Sequence, residues 1–305
     1  MARITPPEAR FGWAGPEAAK RANDLLRDQF PHFFIKGQTR PTQGQRVCLW
    51  DASKKVLGKH LPTLNQQIGD CVSMGTTNAV DYISLCQIAI KGQAEKFRHT
   101  YMPYVYGVSR VLIGGQRNSY SDGSVGVWAA DGVRKYGVLW ADYDDGKGNK
   151  VPAYSGDVAK NWGAKGPPQV FVDYAKQFPI KTTAKVKSYT EARDALGNYY
   201  AVTVASNRGF KMNPVLDKGK MWGVPSGSWN HQMCFIAVDD DPARPGLYVL
   251  NSWGPDAHGK PAGDEPPGGF WVDAEVCDRM LRQDDSFAYS DLVGFPERTL
   301  DYLLI

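Results

Sequence analysis

Tyr248-Val249-Leu250-Asn251-Ser252-Trp253-Gly254 decides how the rest of the chain is read. Its first half is rich in β-branched and aromatic residues, as a short strand should be, and Asn-Ser-Trp-Gly ends it. An asparagine amide at a strand end can accept a hydrogen bond from an imidazole N–H and so fix one tautomer. A tryptophan just beyond can keep water off that bond. A general base needs such an orienting partner. The stretch therefore asks for a histidine on another element and for a nucleophile that the histidine can serve.

Working outward, the second half of the chain reads as strands at 200–205, 233–238, 246–251 and 269–272, each bounded by turn residues. The first half reads as helices. Val72, Ala79, Ile83, Cys86 and Ile90 recur at helical spacing and predict an amphipathic helix over 71–90, with Asp70 as its N-cap. Val125, Trp128, Ala129, Val133 and Tyr136 predict a second, closed by Gly137. Ser188 and Glu191 form a capping-box pair that opens a third. Helices first and strands later indicate an α+β protein with its site in the cleft between the halves.

The five cysteines are Cys48, Cys71, Cys86, Cys234 and Cys277. Their number is odd and no CxxC pair occurs, so neither a zinc site nor a disulfide scaffold is expected. A thiol becomes a nucleophile as its thiolate, which a helix N-terminus and a nearby imidazolium both favour. Cys71 has the helix start, and Gly69 lets the chain approach closely there. Cys86 falls mid-helix and Cys234 within a strand, where buried inert thiols are the ordinary case. Of the five histidines, His32 and His60 lie in the N-terminal region, His99 before a proline-containing segment and His258 in a Pro/Gly-rich loop. His231 opens a strand directly after the turn Gly227-Ser228-Trp229-Asn230, a rigid place for a base.

These pieces occur together as Asn-Gln-Gln-Ile-Gly-Asp-Cys (65–71), Asn-His (230–231) and Asn-Ser-Trp-Gly (251–254). In this order they resemble the three active-site blocks of the papain-like cysteine peptidases. Ser121-Asp122-Gly123-Ser124 resembles a fourth, whose Gly-Gly pair in the family hydrogen-bonds an extended substrate backbone; Gly123 and Ser124 fall on those positions. The resemblance spans roughly residues 46–290. It implies a two-lobed fold: a helical lobe (46–175) with the nucleophile on a central helix, and a β-rich lobe (176–305) carrying His and Asn. Residues 1–45 are an N-terminal extension with one short helix around 17–30.

The resemblance also assigns roles. Cys71 is the nucleophile, His231 its base, Asn251 the orienting residue and Trp253 the shield. The oxyanion donor is Gln66 or Gln67; Gln66 is preferred because it follows Asn65 as the family Gln follows Asn or Asp. No metal and no cofactor is implied, and the partner is a peptide or protein substrate. The chain departs from the family's Cys-Gly-Ser-Cys-Trp block, having Ile68-Gly69-Asp70-Cys71-Val72 instead. The lost upstream cysteine fits a reducing compartment. The separation of Cys71 and His231 exceeds the roughly 130–150 residues usual for papain, and the loop 141–168 accommodates the excess. The Asp142, Asp144 and Asp145 cluster in that loop lacks calcium-loop spacing and reads as a solvated acidic turn.

Bulk properties narrow the partners. A formal charge of +4 over 305 residues, with no dense Lys/Arg block, argues against nucleic acid. No segment is long and apolar enough to span a membrane. The first twenty residues lack a signal-peptide pattern, so the default compartment is cytoplasmic, while leaderless export or carriage in a particle fits the same facts. The extension does not look like the long helical propeptide of secreted members, which leaves its role open between covering the cleft, docking a partner and doing neither. Two rival functions stand beside the peptidase: a non-cutting structural or binding component of a larger assembly such as a phage particle, and another Cys-His enzyme such as a transglutaminase or cell-wall amidase.

Overall fold

The computed structural model describes residues 10–26, 29–30, 32–33, 42–91 and 96–292. In chain order the elements are α1 (Pro16–Leu26), β1 (Arg46–Cys48), α2 (Trp50–Leu57), α3 (Cys71–Lys91), α4 (Met102–Gly107) running into a π-helical turn (Val108–Ile113), α5 (Gly126–Tyr136), α6 (Gly156–Lys165), α7 (Gln169–Ala175), β2 (Ile180–Lys185), α8 (Tyr189–Gly197), β3 (Val202–Phe210), β4 (Val215–Asp217), β5 (Lys220–Trp222), β6 (Pro225–Asp239), β7 (Gly246–Leu250), β8 (Gly269–Asp273), α9 (Ala274–Leu281) and β9 (Phe287–Leu292). The expected α+β division into helices first and strands later is what forms.

The strands make one sheet in the order β2-β9-β3-β6-β7-β8-β5-β4, with β1 added against β6. The β6–β7 and β7–β8 pairs are antiparallel and in register with Cys234 opposite Leu250 and Leu250 opposite Gly269. This pairing delivers Asn251 to the edge of the cleft just beyond the last paired residue of β7. The lobes are less cleanly divided along the chain than the sequence suggests. Arg46, Val47 and Cys48 pair with Asp239, Val238 and Ala237, so the chain visits the sheet before it builds the helices.

Helix α3 is the axis of the helical half. Its apolar periodicity predicts an amphipathic helix, but it is buried on all sides from Cys71 to Ala89, packed between β6, α2, α4 and α5. Some of the polar residues on its other faces turn inward and hydrogen-bond to the helix itself, while Asp81 reaches across to His99 and Thr100. Thr76 and Ser84 donate their hydroxyls to the carbonyls of Val72 and Val80 at 2.9 and 2.8 Å. A helix whose polar side chains satisfy its own backbone can be central despite a mixed sequence.

The start of α3 differs from the expected N-cap. The Asp70 carbonyl accepts from the N–H groups of Ser73 and Met74, and its carboxyl turns to the Tyr154 hydroxyl at 3.1 Å. The second carboxyl oxygen is buried without a partner among the described residues. By contrast, α8 has the expected cap: Ser188 Oγ accepts from Glu191 N, and Glu191 reaches back to Lys187 N at 2.6 Å. Gly137, at φ +71°, closes α5 as expected.

Burial pushes the Asp70 carboxyl up to about 7, above the roughly 3.9 of an unfolded aspartate. The folded state therefore holds a proton that the unfolded state has lost between those values. The stabilising effect is complete below about pH 4 and is lost as the pH rises through 7. Asp70→Asn mimics the protonated form. Its melting temperature should exceed that of the wild-type chain above pH 7 and converge with it near pH 4; parallel curves across that range would contradict the account.

Candidate active site

Cys71 is the first residue of α3 and has no exposed surface. Its Sγ accepts a hydrogen bond from the backbone N–H of Gln232, the residue after His231, at 3.3 Å. The histidine lies within β6 rather than at a strand opening. Gly227-Ser228-Trp229-Asn230 reads as a turn but is bulged strand, with register shifts opposite Ser206, Arg208 and Phe210 and Gly227 at φ +63°.

The imidazole is oriented as the Asn-Ser-Trp-Gly stretch requires. His231 Nε2–H donates to Asn251 Oδ1 at 2.8 Å. Its Nδ1 has no hydrogen-bond partner among the described residues, which leaves a lone pair for a thiol proton. Trp253 is buried and lies 4.7 Å from the His231 ring, centroid to centroid. It covers the His231–Asn251 bond as a shield would.

Asn251 itself is held by a residue that the sequence reading passed over. Its Nδ2–H donates to His258 Nε2 at 2.8 Å, and His258 Nδ1–H donates to the Met212 carbonyl at 3.0 Å. Both histidines are buried, and desolvation lowers each to about 4. A neutral His258 with its proton on Nδ1 can present only an acceptor to Asn251. That fixes the amide with its oxygen toward His231, where Ser252 N also donates to it at 2.7 Å. The loop containing His258 is rich in Pro and Gly, and no local pattern marks the residue. The remaining histidines lie elsewhere: His99 pairs with Asp81, His60 faces Asp264, and His32 bridges to Lys185.

The two glutamines part company. Gln66 is buried, accepts from Ser252 Oγ at 2.6 Å through Oε1, and donates through Nε2 to the carbonyls of Ile68 (2.8 Å) and Arg10 (2.7 Å). Gln67 turns to α6, where its Oε1 accepts from Gly156 N at 2.8 Å. The geometry therefore brings Gln66 into the cleft with Cys71, His231 and Asn251, and leaves Gln67 outside.

Residues 10–14 of the extension lie across this site as a strap. Trp13 N donates to the Asn230 carbonyl at 3.1 Å, Ser124 N to the Gly12 carbonyl at 2.8 Å, and Ala14 N to the Ser124 carbonyl at 2.9 Å. Trp13 and Ser124 thus form a parallel bridge. The Gly12 N–H of the strap, like the Gln232 N–H, acts against the upward shift of the Cys71 thiol. Phe11 packs on Trp253 at 5.8 Å and on Trp229 at 6.3 Å. Gly12 and Gly69 touch backbone to backbone. A Cβ on Gly12 would stand 1.9 Å from the Gly69 oxygen, so no other residue fits.

Burial also sets the charge state. Burial pushes the Cys71 thiol up to about 12 and holds His231 neutral. Desolvation disfavours both ions of a thiolate–imidazolium pair. The covered pair is thiol and neutral imidazole.

The other groups singled out in the sequence have structural roles. Asp144 and Asp145 accept from backbone N–H groups within their own turn, including Gly146 N and Lys147 N. Among the described residues no three His, Cys, Asp or Glu side chains gather as metal ligands. No disulfide forms; Cys86, Cys234 and Cys277 are buried thiols.

Comparison with known proteins agrees with this architecture. Xylellain, a cysteine protease from Xylella fastidiosa, superposes with a TM-score of 0.61 over 95% of this chain and 99% of its own, at 14% identity. Procathepsin B from Trypanosoma congolense gives 0.57 over 97% and 90%, at 11% identity. Bromelain from Ananas comosus gives 0.51 over 81% and 98%, at 17% identity. The chain has the papain-like cysteine protease fold. No protein-family model and no curated protein matches the sequence.

Two predictions follow from the geometry of the papain-like cleft. Gly12→Ala should displace the strap and speed iodoacetamide labelling of Cys71, located by peptide mass mapping, at least tenfold; unchanged labelling would show that Gly12 does not seal the thiol. In that opened background, His258→Phe should lower kcat/KM for a peptide substrate by roughly tenfold, the size expected when one buried hydrogen bond is lost. It should also shift the His231 limb of the pH profile. A loss of stability with an unshifted profile would make His258 merely structural.

Proposed function

We propose that this chain is a thiol peptidase held latent by its own residues 10–14. The observation that carries the reading is the His231 ring. Its Nε2–H is committed to Asn251 and its Nδ1 is unpartnered among the described residues, while the next residue along β6, Gln232, donates its backbone N–H to the helix-terminal thiol of Cys71. When the strap leaves, water returns to the pair and a thiolate–imidazolium becomes accessible.

The reaction then runs in two halves. His231 Nδ1 takes the Cys71 proton, and the sulfur attacks a peptide carbonyl carbon. The developing oxyanion is held by the Cys71 backbone N–H and by Gln66 Nε2–H. One Gln66 N–H stays with Ile68, and the one now given to Arg10 is released with the strap. His231 returns the proton to the departing amine, leaving a thioester on Cys71. Water, deprotonated by His231, attacks the thioester, and the carboxylic acid leaves as the thiol reforms. The Ser124 N–H and C=O, which now pair with the strap, suit the extended backbone of a substrate beside Gly123. The chemistry asks for no cofactor.

A second reading is a papain-like fold that binds or builds without cutting. The complete burial of Cys71 favours it, since a sealed thiol does no work. Among the described residues no helix is long and apolar enough to cross a membrane.

Hydrolysis of an unfolded protein substrate by the Gly12→Ala chain discriminates the two readings. The peptidase reading expects activity that Cys71→Ala abolishes and that Gln66→Ala lowers by roughly a hundredfold, with Gln67→Ala nearly neutral. An opened cleft whose Cys71 neither cuts nor is labelled by a thiol-directed epoxide would establish the non-cutting reading.

A further inference from the structure

The residue before the thiol is an acid. Asp70 directly precedes Cys71 and has no exposed surface. Its carboxyl does not cap α3, because the N–H groups of Ser73 and Met74 go to its main-chain carbonyl. The carboxyl turns away to the Tyr154 hydroxyl at 3.1 Å, and its Oδ1 has no hydrogen-bond partner among the described residues. The start of α3 is thereby left to the thiol. Burial raises Cys71 most; the N–H groups of Gln232, Gly12 and Val72 act the other way, and the charge of Asp70 adds to burial.

A helix N-terminus carries about half a positive charge. It offsets one anion, and two anions on adjacent residues repel each other. An ionised Asp70 therefore opposes a Cys71 thiolate. What acts on His231 is burial, the Asn251 bond and His258, so the effect of Asp70 falls on the thiol.

The surroundings place the change of charge near neutrality. Burial raises the Asp70 carboxyl to about 7; the Tyr154 hydroxyl opposes that, Asp122 adds to it and Arg10 of the strap opposes it. Asp122 accepts from Gly69 N at 3.1 Å and faces Lys160 of α6 at 3.7 Å. From α4, the Tyr106 hydroxyl donates to the Gly69 carbonyl at 3.4 Å and accepts from Gly123 N at 2.9 Å, with the Arg110 guanidinium 5.2 Å from its ring centroid. Burial pushes both tyrosines further up, so Asp70, and neither phenol, changes charge around neutrality.

We propose that Asp70 is a positioning residue that acts through Cys71: while it holds its proton it leaves the start of α3 to the thiolate, and once ionised it opposes the thiolate, so that the cleft works in acidic to neutral rather than alkaline surroundings. The inference rests on the peptidase reading of Cys71 as nucleophile.

The test reads the thiol itself. Iodoacetamide alkylates the thiolate, a C–S bond forming as iodide leaves, and peptide mass mapping separates Cys71 from the other thiols. Labelling rates are compared from about pH 5 to about pH 9 between the Gly12→Ala chain and the same chain with Asp70→Asn, with circular dichroism confirming that both stay folded. The two rates should agree within about twofold near pH 5. By about pH 8.5 the chain that keeps Asp70 should label roughly tenfold more slowly, the size of a one-unit change in thiol acidity. A ratio independent of pH would overturn the assignment, as would the absence of labelling in both chains at every pH. Tyr154→Phe removes the donor that favours the ionised carboxyl. Compared with the same chain carrying Asp70→Asn, it should move the midpoint of the ratio upward from near 7 by about one unit. Loosened packing alone would slow or speed labelling without moving that midpoint, and an unmoved midpoint would count against Asp70 as the titrating group. If the ratio follows this course while no peptide is cut, the peptidase reading fails and the hold of Asp70 on the thiol stands.

Discussion

One side-chain amide, that of Asn251, is shared between two buried histidines, and the chemistry of the cleft depends on which way it faces. His258 takes the Nδ2–H because its own proton is committed to the Met212 carbonyl. The Asn251 oxygen is then left for His231 and for Ser252 N. A flipped amide would place N–H against N–H at His231 and lone pair against lone pair at His258. Each mismatch is a buried unsatisfied group and costs about 1–3 kcal/mol. The tautomer of His231 is thereby decided by a carbonyl near the start of β4, through two intervening side chains.

The same desolvation that makes this relay specific also keeps the site quiet. With the strap in place, burial raises the thiol and lowers the imidazole, so the pair holds its proton on sulfur. The strap needs no covalent bond to do this. It uses three backbone hydrogen bonds to Asn230 and Ser124, a carbonyl for Gln66, and the close approach of Gly12 to Gly69. Segments such as this, anchored by a few contacts, open locally at less cost than the core does. Trp13, buried and bonded to Asp285, is the deepest anchor.

Much of the candidate site's geometry was legible in the sequence because its signals are local. Asn251 and Trp253 end a strand, Cys71 starts a helix, and Gln66 follows Asn65. The long helix at 71, the capping box at Ser188 and the glycine at 137 formed close to where periodicity and cap chemistry place them. What escaped was long-range. Gly12 meets Gly69 across 57 positions of sequence, and no composition rule connects them. His258 sits in a loop that reads as linker. The strand β6 runs back through a Gly-Ser cluster because a bulge keeps those residues paired. Asp70 sits where a cap belongs but faces Tyr154, since the tertiary partner outcompetes the local one. Helix α3 has the period of a surface helix and the place of a core helix, with Ser73, Thr76 and Ser84 turned inward onto carbonyls of their own segment.

The central claim is that the fold holds His231 with its proton on Nε2 and that the strap decides whether the ring can become charged. Nitrogen-15 NMR of the His231 ring in the full chain and in Gly12→Ala tests this most directly. The account predicts a neutral Nε2–H tautomer in the full chain from neutral pH down to about pH 4, and an imidazolium already present near neutral pH when the strap is displaced. A neutral ring protonated at Nδ1, or the same titration in both chains, would contradict it.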